Sequence, residues 1–287
     1  MSENWSVISE VGAMKALTRE WHAQGLTVGL VPTMGALHEG HLSLVDLALK
    51  HCDRVVTSVF VNPTQFGPTE DFNRYPRDLD GDLQKLKEAG AHAVFSPSTR
   101  EMYPEGFQTG VELSRLPGHL CGLTRTGHFA GVAQVVLKLF NICMPDVAVF
   151  GQKDFQQVRI IEQMVCDLNL DVKIVRHPIV REDGGLALSS RNVYLTPQQR
   201  AGALSINRAL DAAERDILGG ARDARRLIQS AVAAIVAWGG DVEYFNICDP
   251  TTLDDIDEIG SSGEVLLVTA VRFGYTRLID NHLVRVG

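Results

Sequence analysis

Two histidines stand three residues apart in the segment MGALHEGH, residues 34–41. An imidazole can donate a hydrogen bond to a phosphate oxygen and stabilise the charge that develops there during a reaction. Gly35 and Gly40 would allow the backbone to approach a ligand closely. These residue types suit chemistry on a nucleotide phosphate, with His38 and His41 as the groups that act.

The neighbouring sequence supports this interpretation. The run LTVGLVP before the pair is apolar and β-branched, which predicts a buried strand, and HLSLVDLALK after it has apolar residues at helical spacing. The histidines therefore lie at a strand-to-helix turn, where unpaired N–H groups and the helix dipole favour an anion. Two surface histidines that only cap a helix are the alternative. A metal bound by the pair is less favoured, because no third ligand stands nearby in the sequence.

A second polar segment, FVNPTQFG at residues 60–67, follows another predicted strand. Asn62 and Gln65 carry amides that can both donate and accept hydrogen bonds, so they could bind a small polar substrate. The alternative is that both are ordinary turn residues.

A third segment, FGQKDFQQ at residues 150–157, again joins a predicted strand to a helix. Lys153 and Asp154 fall in the first turn of that helix. A cation is disfavoured there, so an anionic ligand beside Lys153 would offset the cost. Gln157 lies one helical turn further on, where it could face the same cleft. A solvated Lys–Asp pair is the alternative.

The fourth segment is LALSSRN, residues 186–192. Its hydroxyls and its guanidinium suit the oxygens of a triphosphate. A polar linker with a chance arginine is the alternative. The first three segments come at the carboxyl ends of predicted parallel strands, where open sheets bind ligands, and the fourth could close over them as a mobile loop.

The order of predicted elements gives the fold class. Strands and helices alternate up to about residue 180, which predicts an α/β fold with a Rossmann-like, doubly wound parallel sheet. Two consecutive helices and then strands without intervening helices predict a smaller C-terminal α+β domain. The domains are placed at residues 1–182 and 183–287. The predicted strands of the first domain cover about 26–31, 54–61, 91–97, 147–151 and 172–180, its helices about 8–24, 41–51, 78–89, 129–144 and 154–168, and the stretch 97–128 is predicted to be irregular.

Composition limits the function classes. Of 287 residues, 35 are acidic and 27 are lysine or arginine, so the formal net charge is -8. This balance argues against binding to nucleic acid or to a membrane surface, but it allows one small basic pocket for a phosphate ligand. The five cysteines are scattered without a CxxC pair, which indicates reduced thiols. The N-terminus does not resemble a signal peptide and no apolar run reaches the length of a membrane span, so a cytoplasmic protein is expected.

The four segments, in this order and spacing, resemble the pantoate–β-alanine ligases (pantothenate synthetases) of the HxGH nucleotidyltransferase superfamily. The resemblance extends to YPRD at residues 75–78, RTGHFAGV at 125–132 and RLIDN at 277–281. It implies a two-step reaction with ATP and Mg²⁺. Pantoate's carboxylate attacks the α-phosphorus of ATP to give pantoyl adenylate and pyrophosphate. The amine of β-alanine then displaces AMP and forms pantothenate, a coenzyme A precursor.

The resemblance also implies roles for individual residues. His41 matches the family's proton donor, and His38 and His41 together would stabilise charge on the pentacovalent phosphorus, with Lys153 on the phosphates. Gln65 matches the ligand of pantoate and β-alanine, and Gln157 a ligand of pantoate. The first domain would bind nucleotide and pantoate, the second would act as a lid, and the protein would be a homodimer. The residues that match the ATP-binding segments are Met34, Gly35, Ala36, Leu37, His38, Glu39, Gly40 and His41, then Gly151, Gln152, Lys153 and Asp154, then Val180, and finally Leu188, Ser189, Ser190 and Arg191.

The sequence departs from the family pattern at three positions. Gln152 replaces a glutamate, Thr64 stands where methionine is common, and Cys121 stands where glutamate is usual. These departures concern the detail of the pocket, and the reaction class does not rest on them. The ligands of Mg²⁺ stay unassigned: Asp80 and Asp82 are candidates, but a solvated helix face is the preferred interpretation.

Two other functions are compatible with the pattern. A nucleotidyltransferase that stops after nucleotide transfer would release pyrophosphate without forming an amide. A non-catalytic nucleotide-binding or scaffold protein would need a degraded site, yet His38, His41, Lys153 and Arg191 are all present. The combination of Gln65, Gln157, Ser189 and Ser190 with the histidines favours the ligase, because a simple nucleotide binder does not need it.

Overall fold

A computed structural model describes residues 5–68 and 70–287 of the chain. Contacts between residues divide the chain into two units. The N-terminal unit comprises the residues up to Pro117, Arg125–Gln152 and Gln157–Pro178, and the C-terminal unit comprises Gly118–Thr124, Lys153–Gln156 and Ile179–Gly287. The main division thus falls at 178/179, and two short segments from earlier in the chain belong to the C-terminal unit.

The N-terminal unit contains a six-stranded sheet in which every pair of neighbours is parallel. This confirms the predicted doubly wound fold. The strands are β1 (Ser6–Ile8), β2 (Val28–Thr33), β3 (Arg54–Val59), β4 (Ala93–Phe95), β5 (Val147–Gly151) and β6 (Lys173–His177), in the spatial order β1-β4-β3-β2-β5-β6.

The order in which successive strands are added to this sheet changes direction at β2. From β2 the chain proceeds through β3 to β4 on one side, and later returns to place β5 and β6 on the other. In open parallel sheets, the crevice at the carboxyl ends of the two strands beside such a switch point is where ligands bind. Here those strands are β2 and β5. Strand β2 leads into the histidine segment (residues 34–41), and β5 leads into the lysine segment (residues 150–157).

Both faces of the sheet are covered, as parallel sheets require. Successive residues of β2 point to opposite faces. Leu30 belongs to the core that includes Val136 of the helix His128–Cys143, and Val31 to the core that includes Val45 of the helix Glu39–Leu49. The helices of the chain are α1 (Val11–Ala23), α2 (Glu39–Leu49), α3 (Leu79–Glu88), α4 (Thr99–Met102), α5 (Cys121–Thr124), α6 (His128–Cys143), α7 (Phe155–Asp167), α8 (Pro197–Leu218) and α9 (Ala224–Val236).

The C-terminal unit packs α8 and α9 with an antiparallel sheet around a separate core. Its strands are β7 (Asp241–Cys248), β8 (Gly263–Phe273) and β9 (Thr276–Val286), in that spatial order. The start of α8 follows from its sequence: Thr196 and Gln199 form a capping box around Pro197, the first helical residue. This confirms the predicted α+β class of the region.

The structure adds elements that the sequence did not reveal. Strand β1 was not predicted, and the stretch 97–128, predicted to be irregular, contains the short helices α4 and α5. The strand predicted to reach residue 180 ends at His177. The five cysteines are free thiols, of which Cys52, Cys143 and Cys248 are buried. Among the residues that the structure describes, none of the helices is long and apolar enough to cross a membrane.

Candidate active site

The histidine pair lies where the sequence places it, between β2 and α2. His38 has an extended backbone at the N-cap of α2 (φ −131°, ψ 172°), and the two rings stack with centroids 4.1 Å apart. The backbone N–H of His38 donates to Nδ1 of His41 at 3.4 Å. A neutral His41 ring therefore carries its proton on Nε2. This leaves His41 Nε2 as a hydrogen-bond donor near the start of a helix, where an anion is favoured.

The turn before His38 has an unusual backbone that needs support. Gly35 and Ala36 both have positive φ angles, 83° and 52°, and the second is uncommon for a residue with a side chain. The carboxylate of Asp82 in α3 accepts the backbone N–H groups of Ala36 and Leu37, each at 2.8 Å. The ammonium of Lys85, one helical turn further along α3, donates to the carbonyl oxygen of Leu37 at 2.8 Å.

The position of Asp82 differs from the prediction that the acidic start of α3 forms a solvated face. A solvated helix face was expected for Asp80 and Asp82, and Asp80 is exposed, but Asp82 is only 1 % exposed and holds the histidine turn. Buried carboxylates need such partners, because an unpaired charge is costly to bury. The spacing of Asp82 and Lys85 on one face of α3 is the signal that could have indicated a shared role.

The amide segment (residues 60–67) follows β3, and both of its amide side chains, Asn62 and Gln65, are buried. Gln65 is 8 % exposed and ends the 3₁₀ turn Pro63–Gln65, whose N-cap is Asn62. The side-chain nitrogen of Asn62 donates to Oε1 of Gln65 and to the carbonyl oxygen of Gly131, both at 3.1 Å. Nε2 of Gln65 lies 3.0 Å from Sδ of Met34, so the amide segment meets the start of the histidine segment.

Helix α6 forms the base on which this turn rests. A Cβ atom on Gly131 would lie 2.3 Å from the carbonyl oxygen of Thr64, so the contact requires glycine. His128, the first residue of α6, places Nδ1 2.7 Å from the carbonyl oxygen of Gln65. The backbone around Gln65 is therefore fixed from two directions, by a close approach and by a hydrogen bond.

An ion pair orients His128. The guanidinium of Arg125 makes a two-point contact with Glu70, at 2.7 and 2.6 Å, and its Nη1 lies 2.8 Å from Nε2 of His128. A guanidinium can only donate, so Nε2 accepts and Nδ1–H donates to Gln65. Burial of Glu70 opposes its ionisation, but the hydrogen bond and charge of Arg125 outweigh it and keep the pKa of Glu70 below its usual value. Sequence reasoning did not assign Arg125 or His128 to the site, although both lie in the segment RTGHFAGV.

The lysine segment begins at the carboxyl end of β5. Gly151 ends the strand, Gln152–Asp154 form a 3₁₀ turn, and α7 begins at Phe155 with the partly exposed Gln157 in its first turn. The helix therefore starts slightly later than predicted, and Lys153 precedes it.

Within the C-terminal unit, Lys153 forms a hydrogen bond with the serine–arginine segment (residues 186–192). Its ammonium donates to the carbonyl oxygen of Leu188 at 2.9 Å, and its own carbonyl accepts from the Asn281 side chain at 3.0 Å. Burial lowers the pKa of Lys153 from its usual value, partly opposed by the charge of Asp154, and the nearby charge of Arg191 acts in the same direction as burial. An anion there would favour the charged ammonium.

The serine–arginine segment contains a short 3₁₀ turn that a hydrogen bond from within the segment stabilises. Ser189 precedes the 3₁₀ turn Ser190–Tyr194, and its hydroxyl accepts the backbone N–H of Arg191 at 3.3 Å. The backbone N–H of Leu188 donates to the carbonyl oxygen of Val180 at 2.9 Å, which brings two of the expected ATP contacts together.

The candidate residues are thus divided between the two units. The N-terminal unit contains Met34 to His41, Gln65, Gly151, Gln152 and Gln157. The C-terminal unit contains Lys153, Asp154, Val180 and Leu188 to Arg191.

One group of three possible metal ligands occurs in the described part of the chain, and it lies elsewhere in the C-terminal unit. Asp211 and Glu214 of α8 stand beside His282 of β9, with Glu214 2.6 Å from His282 Nδ1. Nη2 of Arg181 lies 3.3 Å from Nε2 of the same ring. A guanidinium so close to the ring disfavours a metal ion there, because the two positive charges would repel each other.

A family model for pantoate-beta-alanine ligase matches residues 6–283, almost the whole chain. The chain belongs to the pantoate–β-alanine ligase family. The pantothenate synthetase of Pelotomaculum thermopropionicum is 50% identical over 276 residues, which cover 96% of this chain and 97% of that one.

Solved structures of the family have the same fold. The pantothenate synthetase from Thermus thermophilus superposes with a TM-score of 0.90 at 42% identity, covering 96% of this chain and 98% of that one. The ligase from Francisella tularensis, described as complexed with beta-gamma ATP and beta-alanine, has a TM-score of 0.82 at 32% identity over 97% of each chain. The resemblance that the four segments indicate is therefore confirmed, and the chain is a ligase of pantothenate biosynthesis.

Proposed function

We propose that this enzyme uses ATP to join pantoate to β-alanine through a pantoyl adenylate. The observation that carries the proposal is the stacked pair His38–His41 at the N-terminus of α2, beside the switch point between β2 and β5. Fixed N–H donors in that position are suited to the α-phosphate of a nucleotide. The Francisella relative, with a nucleotide and β-alanine bound, supports the same substrates here.

In the first step, a carboxylate oxygen of pantoate attacks the α-phosphorus and pyrophosphate leaves. Negative charge grows on the oxygens around phosphorus, and His41 Nε2–H is a preorganised donor towards it. Stacking at 4.1 Å disfavours two charged imidazoles, so we assign His38 to orient His41 and to donate as a neutral ring.

Lys153 and the segment Leu188–Arg191 bind the phosphates in this proposal. Burial and the positive charge of Arg191 both lower the pKa of Lys153, so holding the two cations there carries an electrostatic cost. A triphosphate would offset that cost for both groups, and the hydroxyls of Ser189 and Ser190 can donate to its oxygens.

In the second step, the β-alanine amine attacks the activated acyl carbon, the bond to AMP breaks and the amine loses a proton. Gln65 and Gln157 are the amides proposed to hold pantoate, and Gln65 also to contact β-alanine. Gln65 suits this role because it is buried and fixed, and a buried site keeps water from the adenylate.

Magnesium would enter as a complex with ATP. Asp82 does not fit a role as its ligand, because it is 1 % exposed and both of its oxygens accept backbone N–H groups. Asp80, by contrast, is exposed.

The family resemblance also supports a homodimer in the cytoplasm, with the C-terminal unit acting as a lid. The size of the particle in solution, measured by light scattering, tests the first of these proposals. A mass equal to that of one chain, 31.4 kDa, would contradict it.

The central test is pyrophosphate release from ATP and magnesium with pantoate present and β-alanine absent, at enzyme concentrations comparable to substrate. We expect a pantoate-dependent burst of pyrophosphate, and AMP only after β-alanine is added. A folded protein that binds ATP but releases no pyrophosphate would contradict the ligase mechanism. Pyrophosphate without an amide product would indicate the nucleotidyltransferase alternative.

A further inference from the structure

The polarity of the Gln65 amide is fixed by its surroundings. An amide presents a donor at one end and an acceptor at the other, so its orientation decides which substrate atom it can bind. The neighbours of Asn62 determine that orientation, beginning with the backbone carbonyl of Gly131.

A carbonyl oxygen can only accept, so the atom of Asn62 that lies 3.1 Å from the Gly131 oxygen must be the nitrogen. The same nitrogen lies 3.1 Å from the Gln65 amide, whose facing atom must then be the oxygen Oε1. The donor nitrogen Nε2 is consequently the other end of Gln65, and it lies towards Met34 Sδ, a weak acceptor, at 3.0 Å.

Two hydroxyls hold Asn62 from the opposite side. The phenol of Tyr103 donates to Oδ1 of Asn62 at 2.9 Å, and the hydroxyl of Thr64 donates to the same oxygen at 3.0 Å. Burial raises the pKa of the Tyr103 phenol, so it stays a donor at neutral pH. Thr64 therefore has a function in this chain that the methionine common in the family cannot perform.

We infer that Tyr103 and Thr64 are positioning residues that, through Asn62, present Gln65 to the substrate as a hydrogen-bond donor. The group that Gln65 binds is then an acceptor oxygen, such as a carboxylate, carbonyl or hydroxyl oxygen of the pantoyl group. This inference rests on the proposed role of Gln65 in pantoate binding and adds the residues that set its polarity.

The test measures kcat and KM for pantoate and for ATP in Tyr103→Phe and Thr64→Val, each of which removes one hydroxyl and keeps the shape. We expect KM for pantoate to rise about 3- to 10-fold in each variant, with KM for ATP within about twofold of wild type. Gln65→Glu replaces the donor with an anion and should lower kcat/KM for pantoate by roughly 10- to 100-fold. The control Tyr275→Phe removes a fully exposed phenol and should change neither parameter.

Thr64→Ser separates positioning from a general loss of structure, because it restores the hydroxyl in a smaller side chain. It should recover a KM for pantoate close to wild type. Wild-type values in Tyr103→Phe and Thr64→Val, or equal losses for pantoate and ATP, would overturn the inference while the proposed function stands. A wild-type enzyme without pantoate-dependent pyrophosphate release would instead overturn both.

Discussion

Oδ1 of Asp82 lies 2.8 Å from the backbone nitrogen of Leu37, and this contact ties helix α3 to the turn that carries the histidine pair. The other oxygen of the same carboxylate holds Ala36, whose φ angle of 52° is in the left-handed region. The conformation of the turn before the histidines thus depends on a residue 41 positions or more from either histidine in sequence.

Replacing Asp82 with asparagine should weaken this support. An amide keeps one acceptor oxygen, so one of the two backbone N–H groups would face an NH₂ group and lose its partner. We expect the free energy of unfolding to fall by about 1–3 kcal/mol, measured by denaturant titration. Asp80→Asn, on the exposed side of the same helix, should change it by less than about 0.5 kcal/mol. Equal effects of the two substitutions would contradict the role of Asp82.

Removing the imidazole of His41 should affect chemistry more than binding. The rate of adenylate formation in His41→Ala should fall by roughly 10²–10³-fold, the loss typical of one preorganised donor. Single-turnover pyrophosphate release measures this rate. His51→Ala is a matched control, because His51 is exposed just beyond the end of the same helix. Near-normal turnover in His41→Ala would remove the residue from the mechanism.

Gly131→Ala should disturb the turn that carries Gln65, because the added methyl group would overlap the backbone of Thr64. Overpacking of this kind costs about 1–3 kcal/mol in the free energy of unfolding, more than alanine gains in helix propensity. Gly12→Ala provides the control: Gly12 also lies in a helix, but nothing stands within 4 Å of its added Cβ. That variant should be stabilised by up to about 1 kcal/mol. Thermal unfolding of both proteins would reveal the expected opposite signs.

The ion pair between Glu70 and Arg125 predicts a pH dependence. The pKa of Glu70 is lowered in the folded state, so its contribution is complete above the pKa of an unfolded glutamate and is lost as pH falls through the lower, folded value. Arg125→Met should therefore be less stable than wild type at pH 7, and the gap should narrow as the pH falls below about 4. Urea titrations at several pH values measure the gap. A gap that stays constant or widens on acidification would contradict the assignment.

The sequence predicted those features that depend on local patterns of residues. Strands and helices of the N-terminal unit follow from apolar periodicity, and the segments that carry the histidines, Gln65 and Lys153 were placed correctly at strand ends. Strand β1 was not predicted, because a run of three residues is too short to show periodicity. It is a strand because it pairs with β4.

The parts of the site that escaped prediction depend on contacts between distant segments. Asp82 was assigned to a solvated face because an acidic helix start has that appearance in isolation. Its burial becomes evident only when α3 packs beside the turn at Ala36. Tyr103 acts through a hydrogen bond to Asn62, 41 residues away, and no local pattern marks it.

Strand β1 has a practical consequence for handling the protein. Ser6–Ile8 pair with Ala93–Phe95 at one border of the six-stranded sheet, so they cover the outer side of β4. Deleting the chain up to Ile8 would leave the outward N–H and C=O groups of that buried strand without partners, while its other side stays paired with β3. Such an open border can recruit strands from other molecules and lead to aggregation. Shortening this end of the chain should therefore reduce solubility before it affects the active site.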